Sequence, residues 1–101
     1  MPVPKPFSAA ELTPLLQKLS RWRLQDNKLH RELKFASFVE AFGFLTSLAL
    51  VAERMNHHPE IFNVYNRVTL TLWTHDANGL TTLDVTLAQA VEELLASARV
   101  E

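Results

Sequence analysis

Three histidines, His57, His58 and His75, are the side chains of this 101-residue sequence best suited to chemistry. His57 and His58 adjoin each other and precede Pro59, between a long helical pattern and a β-rich segment. His75 lies just past the end of the following strand pattern. Both places are element ends, where a scaffold holds a side chain that solvent or ligand still reaches. Imidazole titrates at about pH 6.5, so a neutral and a protonated ring coexist near neutrality, and a pair can give one proton and take another in one turnover. The chain has no cysteine and no G-x-S-x-G elbow, so acid–base chemistry suits it better than covalent catalysis. Adjacent histidines project in divergent directions, and the spaced His and Cys patterns of zinc sites are missing, so no metal is expected. Blander readings stand beside these. His57 and His58 also suit a helix C-terminus as cations, and His30, inside a strand pattern, reads as an ordinary surface residue. Asp84 either caps the last helix or serves the site, and Trp22 and Trp73 read first as packing residues.

The elements that must position these side chains follow from periodicity. Ser8 with Glu11 has the capping-box pattern, so a helix is predicted from there to about Leu19. Pro14 is awkward inside it, at a cost of about 3 kcal/mol, and the helix either kinks or starts only at Thr13-Pro14. Trp22 and Leu24 alternate with Arg21, Arg23 and Gln25 as in a half-buried strand. Asp26-Asn27 is a two-residue turn, since both types tolerate positive φ. Leu29, Leu33 and Phe35 continue in a second strand, with Arg31 breaking the alternation. The segment 37–56 is the strongest helix. Phe38, Phe42, Leu45, Ala49 and Ala52 form one apolar line along it, Ala41, Phe44, Leu48, Val51 and Met55 form another, and only the side near Glu40, Gly43, Ser47 and Arg54 is polar. A helix apolar around so much of its circumference needs cover on more than one face, so its second face is expected to meet another copy of the chain. Ile61, Phe62 and Val64 form a short strand and Tyr65-Asn66 a turn. Val68, Leu70 and Leu72, alternating with Thr69, Thr71 and Trp73, form a strand ending near Thr74. Ala77-Asn78-Gly79 is loop, and Thr81 with Asp84 opens a last helix that buries Val85, Ala88, Val91, Leu94 and Leu95. The order α-β-β-α-β-β-α, with strands arriving as two hairpins, gives an α+β domain: a four-stranded antiparallel sheet with three helices on one face.

The length makes one domain, residues 8–101, after a proline-spaced tail, residues 1–7, read as flexible. Hydrophobic residues are 48% of the chain, enough for a core, and the formal net charge is −1. With no basic stripe, nucleic acid is not an expected partner. No apolar run is long enough for a membrane span and the first residues lack a signal peptide's apolar stretch, so the expected setting is cytoplasmic, with no membrane partner.

Four segments together resemble a known family: Glu53-Arg54-Met55-Asn56-His57-His58-Pro59, Phe62-Asn63-Val64-Tyr65-Asn66, Thr74-His75, and Asp84. They look like the pterin-4a-carbinolamine dehydratases, whose signature sets an acidic or polar residue, His-His-Pro, an aromatic, a His and an Asp at separations that Glu53, His57, His58, Pro59, Tyr65, His75 and Asp84 match. Trp22 and Ala41-Phe42-Gly43-Phe44-Leu45-Thr46 also resemble that family, and the likeness spans roughly residues 8–97. It implies the same α+β fold, a homodimer or homotetramer through the helix 37–56, and dehydration of 4a-hydroxytetrahydropterin to quinonoid dihydropterin in tetrahydrobiopterin recycling. No metal or organic cofactor is implied. By the resemblance, His57 and His75 are the acid–base pair and His58 binds and orients the pterin. Asn56, Trp73, Thr74 and Asp76 contact substrate, and Glu53 and Asp84 orient imidazoles. Asn56 stands where relatives often carry Asp, and Trp73 where they often carry a small residue. The resemblance also implies an alternative, a protein-binding module (the dimerisation cofactor of a transcription factor) using the apolar long helix.

Overall fold

Ser8 begins the first helix as the sequence pattern requires. Its hydroxyl accepts the Glu11 N–H, and the Glu11 carboxylate accepts the Ser8 N–H at 2.9 Å. A computed structural model of the chain describes residues 3–98. Its elements are α1 (Ala9–Lys18), β1 (Arg23–Gln25), β2 (Lys28–Lys34), α2 (Phe38–Met55), β3 (Glu60–Val64), β4 (Arg67–Leu72) and α3 (Thr82–Leu95). α1 runs through Pro14 without restarting there. The strands form one antiparallel sheet in the order β1-β2-β4-β3, so the second strands of the two hairpins pair at its centre. This is the predicted α+β architecture.

The side-chain alternation of the two central strands aims one face at the helices. Leu29, Arg31 and Leu33 of β2 stand opposite Leu72, Leu70 and Val68 of β4, and all six are buried. They pack with Ala41, Phe44 and Leu48 of α2 and Leu87, Ala88 and Val91 of α3 into one core. The two apolar lines of α2 do not divide cleanly between core and surface. Ala41, Phe44 and Leu48 of one are buried together with Leu45 and Ala52 of the other, whereas Phe38, Phe42 and Ala49 are exposed, as are Val39 and Leu50.

Four details differ from the sequence pattern. Arg31 breaks the alternation yet lies on the core face, because Glu92 of α3 meets its guanidinium there. Leu24 is exposed, since β1 is a three-residue edge strand and only Trp22, before it, reaches the core. The stretch read as a tail is fixed at its end: Phe7 donates to the Leu80 carbonyl at 2.7 Å and packs on the core. Pro6 passes close to Gly79, where a Cβ would come within 3.0 Å of the proline's own. In the β3–β4 turn it is Tyr65 that takes positive φ, 52°. Beside it the Asn63 amide donates to the Tyr65 and Arg67 carbonyls, and the Asn66 amide donates to the Phe35 carbonyl. The other turn is as read. Asp26 and Asn27 have φ of 53° and 64° and join β1 to β2 with Gln25 opposite Lys28.

Candidate active site

α2 ends in a way that sends His57 and His58 in opposite directions. Asn56 adopts the left-handed conformation (φ 50°, ψ 42°); its N–H bonds the Glu53 carbonyl, and the His57 N–H reaches back to the Ala52 carbonyl. This is the Schellman closure, in which asparagine replaces the usual glycine. The chain then turns so that His57 enters the protein and His58 stays outside.

His57 is buried, and its Nε2 lies 2.7 Å from Oδ1 of Asp84, a residue with no exposed surface. The other carboxylate oxygen of Asp84 accepts the Thr81 N–H at 2.9 Å and the Thr74 hydroxyl at 2.7 Å. Thr74 has one proton to give, so the contact of 2.8 Å between the two threonine hydroxyls is donated by Thr81. Asp84 is therefore both things the sequence allowed. Oδ2 completes the capping box of α3, and Oδ1 holds an imidazole. One carboxylate gathers His57 just past the end of α2, Thr74 two residues beyond β4, and the start of α3.

The tautomer of His57 follows from its partner. An ionised carboxylate only accepts, so Nε2 carries the proton and Nδ1 is left with its lone pair. Nδ1 has no protein partner, and among the described residues no buried side-chain nitrogen or oxygen lacks one. That atom therefore faces solvent, and the ring presents a single reactive nitrogen.

His75 follows Thr74 directly and opens a short 3-10 turn, His75–Ala77. It is exposed, and its ring stands edge to face with Trp73 at a centroid separation of 5.6 Å. The other neighbour of Trp73 is Lys28, whose Nζ lies 4.6 Å from the indole centroid. Thr74 is anchored inward by backbone bonds with Gly79 and by Asp84, so its hydroxyl is directed away from solvent. Asp76 and Asn56 are exposed.

His58 belongs to a different neighbourhood. Its Nε2 meets Oε1 of Glu53 at 2.8 Å, one turn back on α2, in an exposed pair. Beside it a hollow of about 400 Å³ is lined by Leu48, Ala49, Ala52, Pro59 and Ile61. The structure thus joins His57 and His75 through Thr74 and Asp84, and sets His58 with Glu53 on the outer flank. His30 is a half-buried, satisfied residue outside the site: Nε2 donates to the Gln25 carbonyl and Nδ1 accepts from Thr71. Among the described residues, no three His, Asp or Glu side chains converge as a metal ion would require. The sequence reading missed Thr81 as part of the hydrogen-bond network around Asp84, because its hydroxyl signals only a cap.

The chain is thus an α+β sheet protein with a buried carboxylate–imidazole pair at the junction of three elements. The chain belongs to the pterin 4 alpha carbinolamine dehydratase family, whose model matches residues 5–94. A Solibacter usitatus relative carrying the family's name is 54% identical over 90 residues, 89% of this chain and 95% of its own. A Rhizobium johnstonii relative carrying the same name is 58% identical over 83 residues, 80% of this chain and 82% of its own. Among solved structures, one described as a transcriptional coactivator/pterin dehydratase from Brucella melitensis superposes with a TM-score of 0.86 at 40% identity, over 89% of this chain and 98% of that one. A pterin dehydratase-like protein described as a RuBisCO assembly factor in the alpha-carboxysome superposes with a TM-score of 0.64 at 28% identity, over 76% of this chain and 92% of that one. No helix among the described residues is long and apolar enough to cross a membrane.

Proposed function

We propose that this chain dehydrates 4a-hydroxytetrahydropterin to quinonoid dihydropterin, the reaction its family name describes, as a step in regenerating tetrahydrobiopterin. The observation that carries the reading is the His57–Asp84 pair, which leaves Nδ1 as the one open nitrogen of a nearly enclosed ring. In this tautomer Nδ1 is a base. It takes the proton from the pterin ring nitrogen next to the hydroxylated carbon, and the freed electron pair forms the carbon–nitrogen double bond. The carbon–oxygen bond breaks, and His75, protonated, delivers its proton to the departing hydroxyl, which leaves as water. Asp84 stabilises the imidazolium formed at His57 and keeps the ring oriented. The two histidines return to their starting states by exchanging protons with solvent.

In this reading His58 and Glu53 form the outer wall, with His58 binding the pterin. Asn56 and Asp76 line the rim and Trp73 supports His75. Thr74 acts on substrate only through Asp84. The test is dehydration of freshly generated 4a-hydroxytetrahydropterin followed by ultraviolet absorbance. Wild type accelerates it, and His57→Ala and His75→Ala each lose the acceleration. A folded wild type that does not accelerate the reaction sinks the proposal.

The exposed line of α2, Phe38, Phe42, Val39 and Leu50, favours a second, compatible reading. A second copy of the chain covers this face in a homodimer or homotetramer, and the same face is the docking surface if the chain also serves as a protein-binding module. Sedimentation of wild type beside Phe42→Glu tests self-association, with a monomeric mass expected for the variant. A monomeric wild type overturns it.

A further inference from the structure

α3 carries two inward carboxylates, and only one belongs to the proton-transfer site. Asp84, at its start, holds His57 and Thr74. Glu92 lies eight residues on, about 12 Å along the axis at 1.5 Å per residue. It meets Arg31 of β2 as a fork, Nε to Oε2 at 3.0 Å and Nη2 to Oε1 at 3.4 Å, and Oε2 also accepts the Trp22 indole N–H at 3.0 Å. The Arg31 side chain is almost fully buried on the core face of the sheet, where every neighbouring position in β2 and β4 is apolar.

Between these two ties α3 touches the core through Leu87, Ala88 and Val91. Apolar contacts resist separation but are non-directional, so they define the axial position of a helix weakly. A planar guanidinium fork defines it well. Asp84 is rigid with respect to α3, because the Thr81 N–H at the helix start fixes its Oδ2. The separation of Asp84 from His57 is then set by where α3 as a whole sits along the sheet.

We propose that Arg31, with Glu92, is a positioning residue for the site: the fork sets the axial register of α3 and thereby holds Asp84 in hydrogen-bonding reach of Nε2 of His57. The activity part of the test rests on the dehydratase reading; the structural part does not. The decisive variant is Arg31→Met with Glu92→Gln, which removes both charges together, keeps an acceptor for Trp22 and fills the arginine's volume. Replacing both partners of a buried ion pair by groups of similar shape commonly leaves stability unchanged or raised. Two quantities are read in the folded protein. Nuclear magnetic resonance follows the His57 Nε2 proton, protected in wild type and broadened by solvent exchange in the double variant. Kinetics show kcat lowered about ten- to a hundred-fold with KM within twofold, the signature of displaced catalytic geometry. Arg31→Lys, which keeps the charge without the fork, gives an intermediate kcat, and it carries the test if the double variant does not fold. An unchanged Nε2 proton and unchanged kcat in a folded variant overturn the proposal, because the Asp84 end then positions itself. If wild type proves inactive, the dehydratase reading fails alone and the His57 proton still decides this one.

Discussion

His57 and His58 are neighbours in sequence, and each places Nε2 on a carboxylate oxygen, at 2.7 Å and 2.8 Å. The two pairs share little else. The side chains of His57 and Asp84 are 10% and 0% exposed; those of His58 and Glu53 are 58% and 80% exposed. In the first pair the carboxylate has two further donors and belongs to the start of a helix, so neither partner can move without unsatisfying a buried group. In the second, water competes for both partners and salt screens them. A hydrogen-bond length does not define a role. The surroundings make one imidazole a fixed instrument with a defined tautomer and leave the other free to follow a ligand.

Removing the charge from the buried pair has the largest expected effect. In Asp84→Asn the amide oxygen stays with the Thr81 N–H, where a donor would be repelled, and the amide N–H turns towards His57. His57 must then accept at Nε2, and its proton moves to Nδ1, the atom proposed as base. The fold survives with a loss of about 2 kcal/mol, as for a hydrogen bond to a charged group. The expected fall in kcat is on the order of 10²- to 10⁴-fold, as for loss of a general base held in the wrong tautomer. Nitrogen chemical shifts of His57 report the tautomer directly, and an unchanged tautomer breaks the comparison.

Thr74→Val probes the same carboxylate from just beyond β4. The substitution keeps the volume, deprives Asp84 of one donor and leaves the Thr81 hydroxyl without its acceptor. Chemical denaturation should show a loss of about 1–3 kcal/mol, the cost of unsatisfied buried groups. The activity loss should be smaller than for Asp84→Asn, because the His57 contact itself remains. A variant as stable as wild type shows that the network is less tightly coupled than its geometry implies.

Asn56 is the hinge that separates the two histidines, and its effect is smaller because it lies in backbone conformation. A residue with φ of 50° is tolerated as asparagine or glycine and strained as alanine. Asn56→Ala should cost about 1 kcal/mol and Asn56→Gly close to nothing, measured by thermal unfolding. Loss of activity in Asn56→Gly at unchanged stability would instead assign the amide a part in binding, as the resemblance implies.

Much of this was legible in the sequence because it is local. The turn at Asp26-Asn27, the alternation of Val68, Leu70 and Leu72, and the cap formed by Thr81 and Asp84 each follow from a few adjacent residues. The divergence of His57 and His58 was also readable from their adjacency. What periodicity could not supply was partnership across distance. Arg31 registered only as an interruption, because Glu92, which makes its burial tolerable, lies 61 residues away. Asp84 was a cap or a site residue as alternatives, because sequence does not show that a carboxylate has two oxygens facing different elements. Phe7 reads as part of a tail in the sequence, since the Leu80 carbonyl that holds it lies far along the chain.

Glu53→Gln carries the smallest expected effect and sharpens the comparison most directly, because it does to the exposed pair what Asp84→Asn does to the buried one. The amide oxygen of glutamine still accepts from the His58 ring, so the contact persists and only the charge is lost. Exposed ion pairs contribute about 0–1 kcal/mol, so thermal unfolding should barely move. Any change in activity should fall on KM rather than kcat, since in the proposed reading His58 binds the pterin and does not move its protons. Because the pair is open to solvent, the wild-type KM should also approach that of the variant as salt is raised. A kcat loss comparable to that of Asp84→Asn would mean that Glu53 itself takes part in proton transfer, and that the outer flank is a second working half of the site.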